Sequence, residues 1–296
     1  MRLALRCLAV LMLAGLGSVA ALGLSDWPAG YALRYGLWWL SGYGQEREYT
    51  SDDDTPLHYV EAGKGPPLVL LHGGGGNRDS FFAQLPFLAR HFHVYALDSR
   101  GHGRSERGEG SLSYERYAED VFELLDRRHI ARAALIGWSD GGNTGLVLAS
   151  EHPERICRMV VIGANYDPSG VAQDPPEPPR PPHEWTSELV EDLYDLLLPS
   201  DYANSPSSDE LEALWASGPD LTPAALHQIK AQVLVIGGEY DLIERDHLIS
   251  TQQAIPGARL EIFPDVGHSL MQDVPAKMNR SLRKFLLGRD GRPQPC

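Results

Sequence analysis

The stretch Leu135-Ile136-Gly137-Trp138-Ser139-Asp140-Gly141-Gly142 constrains the fold more than any other part of this 296-residue chain. The apolar run Ala133 to Ile136 predicts a buried strand, and it stops at Gly-x-Ser-x-Gly. A helical apolar run, Leu146-Val147-Leu148-Ala149, follows at once. A strand that turns directly into a helix forces the residue at the turn into a strained backbone conformation, tolerable only where the neighbours lack bulk. Gly137 and Gly141 supply that room, and the Ser139 hydroxyl is lifted out of the sheet onto a helix N-terminus.

The rest of the chain repeats the strand-then-helix rhythm. Residues 46–51 and 57–61 read as a hairpin about Asp52-Asp53-Asp54 at a sheet edge. Continuous apolar runs at 67–71, 94–97, 133–136, 159–163 and 233–237 predict strands buried on both faces, the mark of a parallel sheet, and Leu260-Glu261-Ile262-Phe263 follows as the last strand. Between them, helices are expected over 77–90 (with Pro86 inside), 114–129, 245–254 and 275–287. The expected fold is therefore α/β, a mostly parallel eight-stranded sheet with helices on both faces. Ligands in such sheets bind at the strand C-termini. The rhythm breaks at 165–230, where Asp174 to Pro182 holds six prolines and suits an extended arm. Amphipathic helices are expected at 185–198 and from Ser208, with Leu211, Leu214 and Trp215. So long an insertion predicts a small helical lid. The core then comprises 45–164 and 231–289, and the polar tail 290–296 is expected to be flexible.

A net charge of −14 argues against nucleic acid, whose phosphates require clustered Lys and Arg. Cys7, Cys157 and Cys296 lack metal-ligand spacing, so no metal site is expected, and only Cys157 and Cys296 remain to pair if the N-terminus is removed. Arg2 and Arg6 flank an uncharged run from Cys7 to Leu24, with small residues at Ser18 and Ala20. Residues 1–24 thus read as a secretory signal peptide or a retained membrane anchor, which points to export or to membrane association through 7–24. The aromatic stretch that follows (Trp27, Tyr31, Tyr35, Trp38, Trp39) suits either a membrane–water interface or packing on the main domain.

A serine hydroxyl is a poor nucleophile until a base takes its proton, and the base needs a carboxylate to orient it. His268, alone among eleven histidines, directly follows the last expected strand. Asp241, in the Gly238-Glu239-Tyr240-Asp241 turn, is the favoured carboxylate; Asp167 is its rival and Glu239 a third choice. Acyl transfer also needs two backbone N–H groups aimed at the developing oxyanion. Asp140 and Gly74, the latter in the loop His72-Gly73-Gly74-Gly75-Gly76, are the expected donors. Trp138, Asp140 and Gly75 are expected to touch substrate. The Asp140 carboxylate either reaches the mouth of the site, favouring cationic acyl groups, or turns toward the positive end of its own helix. His72 is expected to brace its loop, and Asp98 and Arg100, with His102 beside them, to form a structural turn that supports the serine turn.

Residues 67–76, 98–105, 137–142, 238–241 and 267–268 together resemble the α/β-hydrolase superfamily, most of all its lidded serine esterases. Gly-Trp-Ser-Asp-Gly-Gly is similar to the motif of valacyclovir-hydrolase-like and small-ester or lactone hydrolases. The resemblance implies a cofactor-free hydrolase acting on a small-molecule ester through Ser139, Asp241 and His268. Carbon–carbon bond hydrolases, haloperoxidases and acyltransferases share the serine and remain open, as does a non-catalytic binding protein of the same fold. Serine at 139 excludes the members that place aspartate there.

Overall fold

The computed structural model describes residues 28–179 and 204–296. The leader 1–24, Trp27, the end of the proline arm and the helix expected over 185–198 lie outside them. Among the described residues no helix is long and apolar enough to cross a membrane.

Eight strands form one sheet: β1 (Gly44–Thr50), β2 (Pro56–Ala62), β3 (Pro67–Leu71), β4 (His93–Leu97), β5 (Ala133–Trp138), β6 (Ile156–Ile162), β7 (Gln232–Gly238) and β8 (Arg259–Phe263). Their order is β1-β2-β4-β3-β5-β6-β7-β8. The β1–β2 hairpin is antiparallel and joins antiparallel to β4; every pair from β4 to β8 is parallel. The longer helices are α1 (Pro28–Leu40), α2 (Tyr114–Arg127), α3 (Asp140–Glu151), α4 (Ser208–Ser217), α5 (Arg245–Ala254) and α6 (Pro275–Leu286).

The continuous apolar runs have the cause expected of them. Along β3, β5, β6 and β7 alternate side chains point to opposite faces, and both faces are covered. Val69, Leu135, Met159, Val161 and Val235 pack against Val121 and Leu125 of α2 and Leu146 of α3. Leu70, Ile136, Val160 and Ile236 pack on the other side with Tyr35 of α1 and Met278, Leu282 and Phe285 of α6. Because β3 to β8 share one direction, the segments after them converge on a single edge.

Two expectations are corrected. The single helix over 77–90 is instead a 3₁₀ turn, Arg78–Phe81, followed by a short helix, Leu85–Leu88. Asn77 caps the turn by accepting from Asp79 N, and Pro86, lacking an N–H, is tolerated only in the first turn of the new helix. The tail, expected to be flexible, folds back on the end of α6. Gly288 N donates to Arg292 O at 2.7 Å and Gln294 N to Leu286 O at 2.9 Å. A disulfide joins Cys296 to Cys157 at the start of β6, with Cα atoms 5.0 Å apart. Polarity predicted freedom; the covalent tie to the sheet removes it.

Candidate active site

Ser139 stands between β5 and α3 with φ 53° and ψ −122°, a conformation that β-carbon-bearing residues rarely adopt. Its backbone N donates to Ile162 O at 2.8 Å, tying the turn to the end of β6. A Cβ on Gly141 would collide with Leu71 O, and one on Gly137 with Gly141 O, so the sharp turn exists only because both positions are glycine.

His268 and Asp241 meet at the same edge. His268 Nδ1 lies 2.6 Å from Asp241 Oδ1, the carboxylate fully buried and the ring partly exposed. Asp241 also accepts from Gly238 N at 3.1 Å and Ile243 N at 3.2 Å, which fixes its orientation. The loops that carry the pair are stitched together by Glu239 N to Phe263 O and Tyr240 N to Val266 O. The imidazole packs over Gly163, where a Cβ would come within 2.9 Å of the ring. Gly163 directly follows Ile162, the acceptor for Ser139 N, so the serine turn and the imidazole share one support. Asp167 is elsewhere engaged: it caps the turn Pro168–Gly170 by accepting from Ser169 N at 2.8 Å. Glu239 accepts from Asp265 N at 3.1 Å. Trp138 donates through Nε1 to His268 O at 3.1 Å, its ring 5.7 Å from the imidazole, and so buttresses the histidine loop.

The glycine loop after β3 lies beside the serine, with a Cβ on Gly73 standing only 3.1 Å from Ser139 Cβ. Two buried histidines hold it to the loop after β4. His72 donates from Nδ1 to Gly73 O and accepts from Ser99 N at 2.9 Å. His102 accepts from Gly75 N at 3.2 Å and donates from Nδ1 to Arg100 O at 3.0 Å. These tautomers follow from the bonds each ring makes. Burial lowers the pKa of both, and His102, with His72 beside it, falls to about 3. Asp98 receives the Arg78 guanidinium and the Arg78 and Arg104 amides, while Arg100 reaches Asp120, Asp53 and Thr55. The expected structural turn is present, but through His102 it supports the glycine loop rather than the serine turn.

The Asp140 carboxylate follows neither route expected of it. It is buried beneath Gly74, accepting from Tyr114 OH at 2.8 Å and from Trp215 Nε1 at 3.0 and 3.1 Å. Burial raises its pKa, an effect these two donors oppose. Trp215 belongs to α4, whose Ser207–Glu210 capping box starts the helix inside the insertion. The Trp215 indole also lies 3.2 Å from the Cβ position of Gly74, and Leu211 lies 3.7 Å from that of Gly75, so α4 covers the glycine loop. Tyr114 and Trp215 escaped sequence reasoning, because nothing local links positions 26 and 75 residues away to Asp140.

Residues 66–198 match the α/β hydrolase fold family. Human serine hydrolase BPHL is 30% identical over 241 residues, which cover 78% of this chain and 82% of that protein. The chain belongs to the α/β-hydrolase fold family. It is also 30% identical over 267 residues to 2-hydroxy-6-oxo-6-phenylhexa-2,4-dienoate hydrolase of Comamonas testosteroni, covering 79% of this hydrolase and 92% of that one. In three dimensions it is similar to the enol-lactonase of Burkholderia xenovorans LB400, with TM-score 0.68 and 26% identity over 81% of this chain and 99% of that one.

Proposed function

We propose that this hydrolase cleaves a carboxylic ester, lactone or thioester through an acyl-enzyme on Ser139. The observation that carries the reading is the strained serine turn resting on the Gly163 support against which the Asp241–His268 pair packs. With Nδ1 held by Asp241, His268 keeps Nε2 for the serine proton. Ser139 attacks the carbonyl, and the charge that develops on its oxygen is met by backbone N–H groups. Gly75 N–H is committed to His102, so Gly74 and Asp140 supply the pair. His268 then protonates the leaving alcohol, and a water that it deprotonates releases the acid. In this reading α4, with Trp215 and Leu211, acts as a lid over the acyl site.

The Comamonas relative keeps carbon–carbon bond cleavage as a second reading. The disulfide supports the view that the chain works in an oxidising compartment after export.

The test is labelling with a fluorophosphonate probe, paired with a panel of p-nitrophenyl esters graded by acyl length and charge and a dienoate ketone. Wild type labels on Ser139 and turns over esters. Ser139→Ala loses the label and about 10⁴-fold or more of the rate. A folded wild-type protein that neither labels nor hydrolyses any ester defeats the proposal, and turnover of the dienoate alone selects the second reading.

A further inference from the structure

Residues 204–218 are fastened to the core at several points. Asn204 N donates to Gly103 O at 3.2 Å. Glu210 pairs with Arg107, in the segment after β4. Leu214 is buried in the core layer of α2 and α3. Gly218, just past α4, has the Tyr114 ring 3.2 Å from its Cβ position. Held in this way, α4 is a fixed wall and not a swinging flap.

Trp215 is oriented against the habit of a surface indole, which buries its rings and leaves its polar tip to water. Here the N–H points inward to both Asp140 oxygens, at 3.0 and 3.1 Å, and Tyr114 OH fixes that carboxylate at 2.8 Å. The N–H is spent, yet the residue is 44% exposed, so what faces outward is apolar ring. The indole Cζ2 stands 3.2 Å from the Cβ position of Gly74, and the Cβ position of Gly73 stands 3.1 Å from Ser139 Cβ. The exposed ring therefore borders the space in which a carbonyl attacked by Ser139 has to lie. The α-carbon of the acyl group is one bond from the attacked carbon. A fixed ring beside the glycine loop limits branching at that carbon first, while a straight chain can run along the ring face.

We infer that Trp215 is the specificity-determining residue of the acyl site, admitting acyl groups unbranched at the α-carbon and excluding branched ones. Asp140 is the positioning residue that holds the indole against Gly74. The inference rests on the ester reading proposed above.

The test measures kcat/KM for p-nitrophenyl butyrate and p-nitrophenyl isobutyrate, each corrected for its hydrolysis by hydroxide. The ratio of the two is taken within each variant, so that a general loss of rate cancels. One methyl group too many in a close-fitting apolar site is worth roughly ten- to two-hundredfold, so wild type favours butyrate by about tenfold or more. Trp215→Ala brings the ratio close to one, and Trp215→Phe lowers it part-way. Asp140→Asn keeps an oxygen for the indole and keeps most of the ratio, whereas Asp140→Leu, which has no acceptor, loses it. A merely structural role would change the rates and the urea midpoint without moving the ratio. Equal turnover of the two esters by wild type, or folded Trp215 variants whose ratio matches wild type, overturns the assignment and leaves the ester reading standing. A ratio that survives Asp140→Leu overturns the positioning role. No turnover of either ester by folded wild type defeats the ester reading and this inference together.

Discussion

Acidification should destabilise this protein through the brace of its glycine loop, and His102 sets the scale. The imidazole is 2% exposed, accepts from Gly75 N, and falls from an ordinary pKa of 6.5 to about 3. Burial is the main cause and His72 the second; Asp98 and Glu210 act the other way, and the neighbouring Tyr117 ring is uncharged in this range. The unfolded chain takes up the proton near 6.5 while the folded chain refuses it until about 3. The contribution to stability is thus intact above 6.5 and lost as pH falls toward 3. Between pH 7 and pH 5 the loss from this one group is about 2 kcal/mol, at about 1.4 kcal/mol per pH unit once the unfolded histidine is charged. Urea unfolding at pH 7, 6, 5 and 4 measures it. His72, His58 and His247 are lowered too, so the decisive quantity is the difference from His102→Gln, which keeps an acceptor for Gly75 N but never titrates. The variant should be less steep by about one proton over pH 4–6. Identical slopes would mean that His102 is not held neutral, and the account of the loop would be wrong.

Three further outcomes are expected. Gly163→Ala places a methyl 2.9 Å from the His268 ring at a φ of 55°; displacing the imidazole should cut kcat about a hundredfold, and unchanged ester turnover would show that the ring does not rest there. Tyr114→Phe removes one donor from the buried Asp140 carboxylate, whose pKa burial already raises, and should lower stability at pH 7 by about 1–3 kcal/mol, read from the urea midpoint; the deficit should shrink on acidification as the carboxyl takes up its proton, a pH dependence that Tyr117→Phe does not reproduce. Cys296→Ser opens a linkage spanning 139 residues and should cost about 2–4 kcal/mol; an unfolding midpoint unaffected by the substitution and by reductant would argue that the tail contributes nothing.

The sequence alone determined the layered α/β architecture, because continuous apolar runs of strand length fit only a sheet covered on both faces. It also determined the serine turn, because Gly-x-Ser-x-Gly between strand and helix is a local steric statement about five adjacent residues. For the acid the sequence favoured Asp241 but left Asp167 and Glu239 as rivals, since each follows a strand that ends on the same edge. Tertiary structure set Asp241 against His268 and gave Asp167 to a turn cap. It likewise decided Asp140, which one dimension could only aim at the mouth of the site or at its helix end. Its partners come from α2 and α4, and no periodicity encodes a contact across 75 residues. The 77–90 segment and the tail follow the same rule: one apolar pattern was broken by a cap and a proline, and one polar stretch was tied down by a cysteine on β6. Local stereochemistry is written in neighbouring residues, whereas the partner of a buried polar group depends on which distant elements the collapsed core brings together.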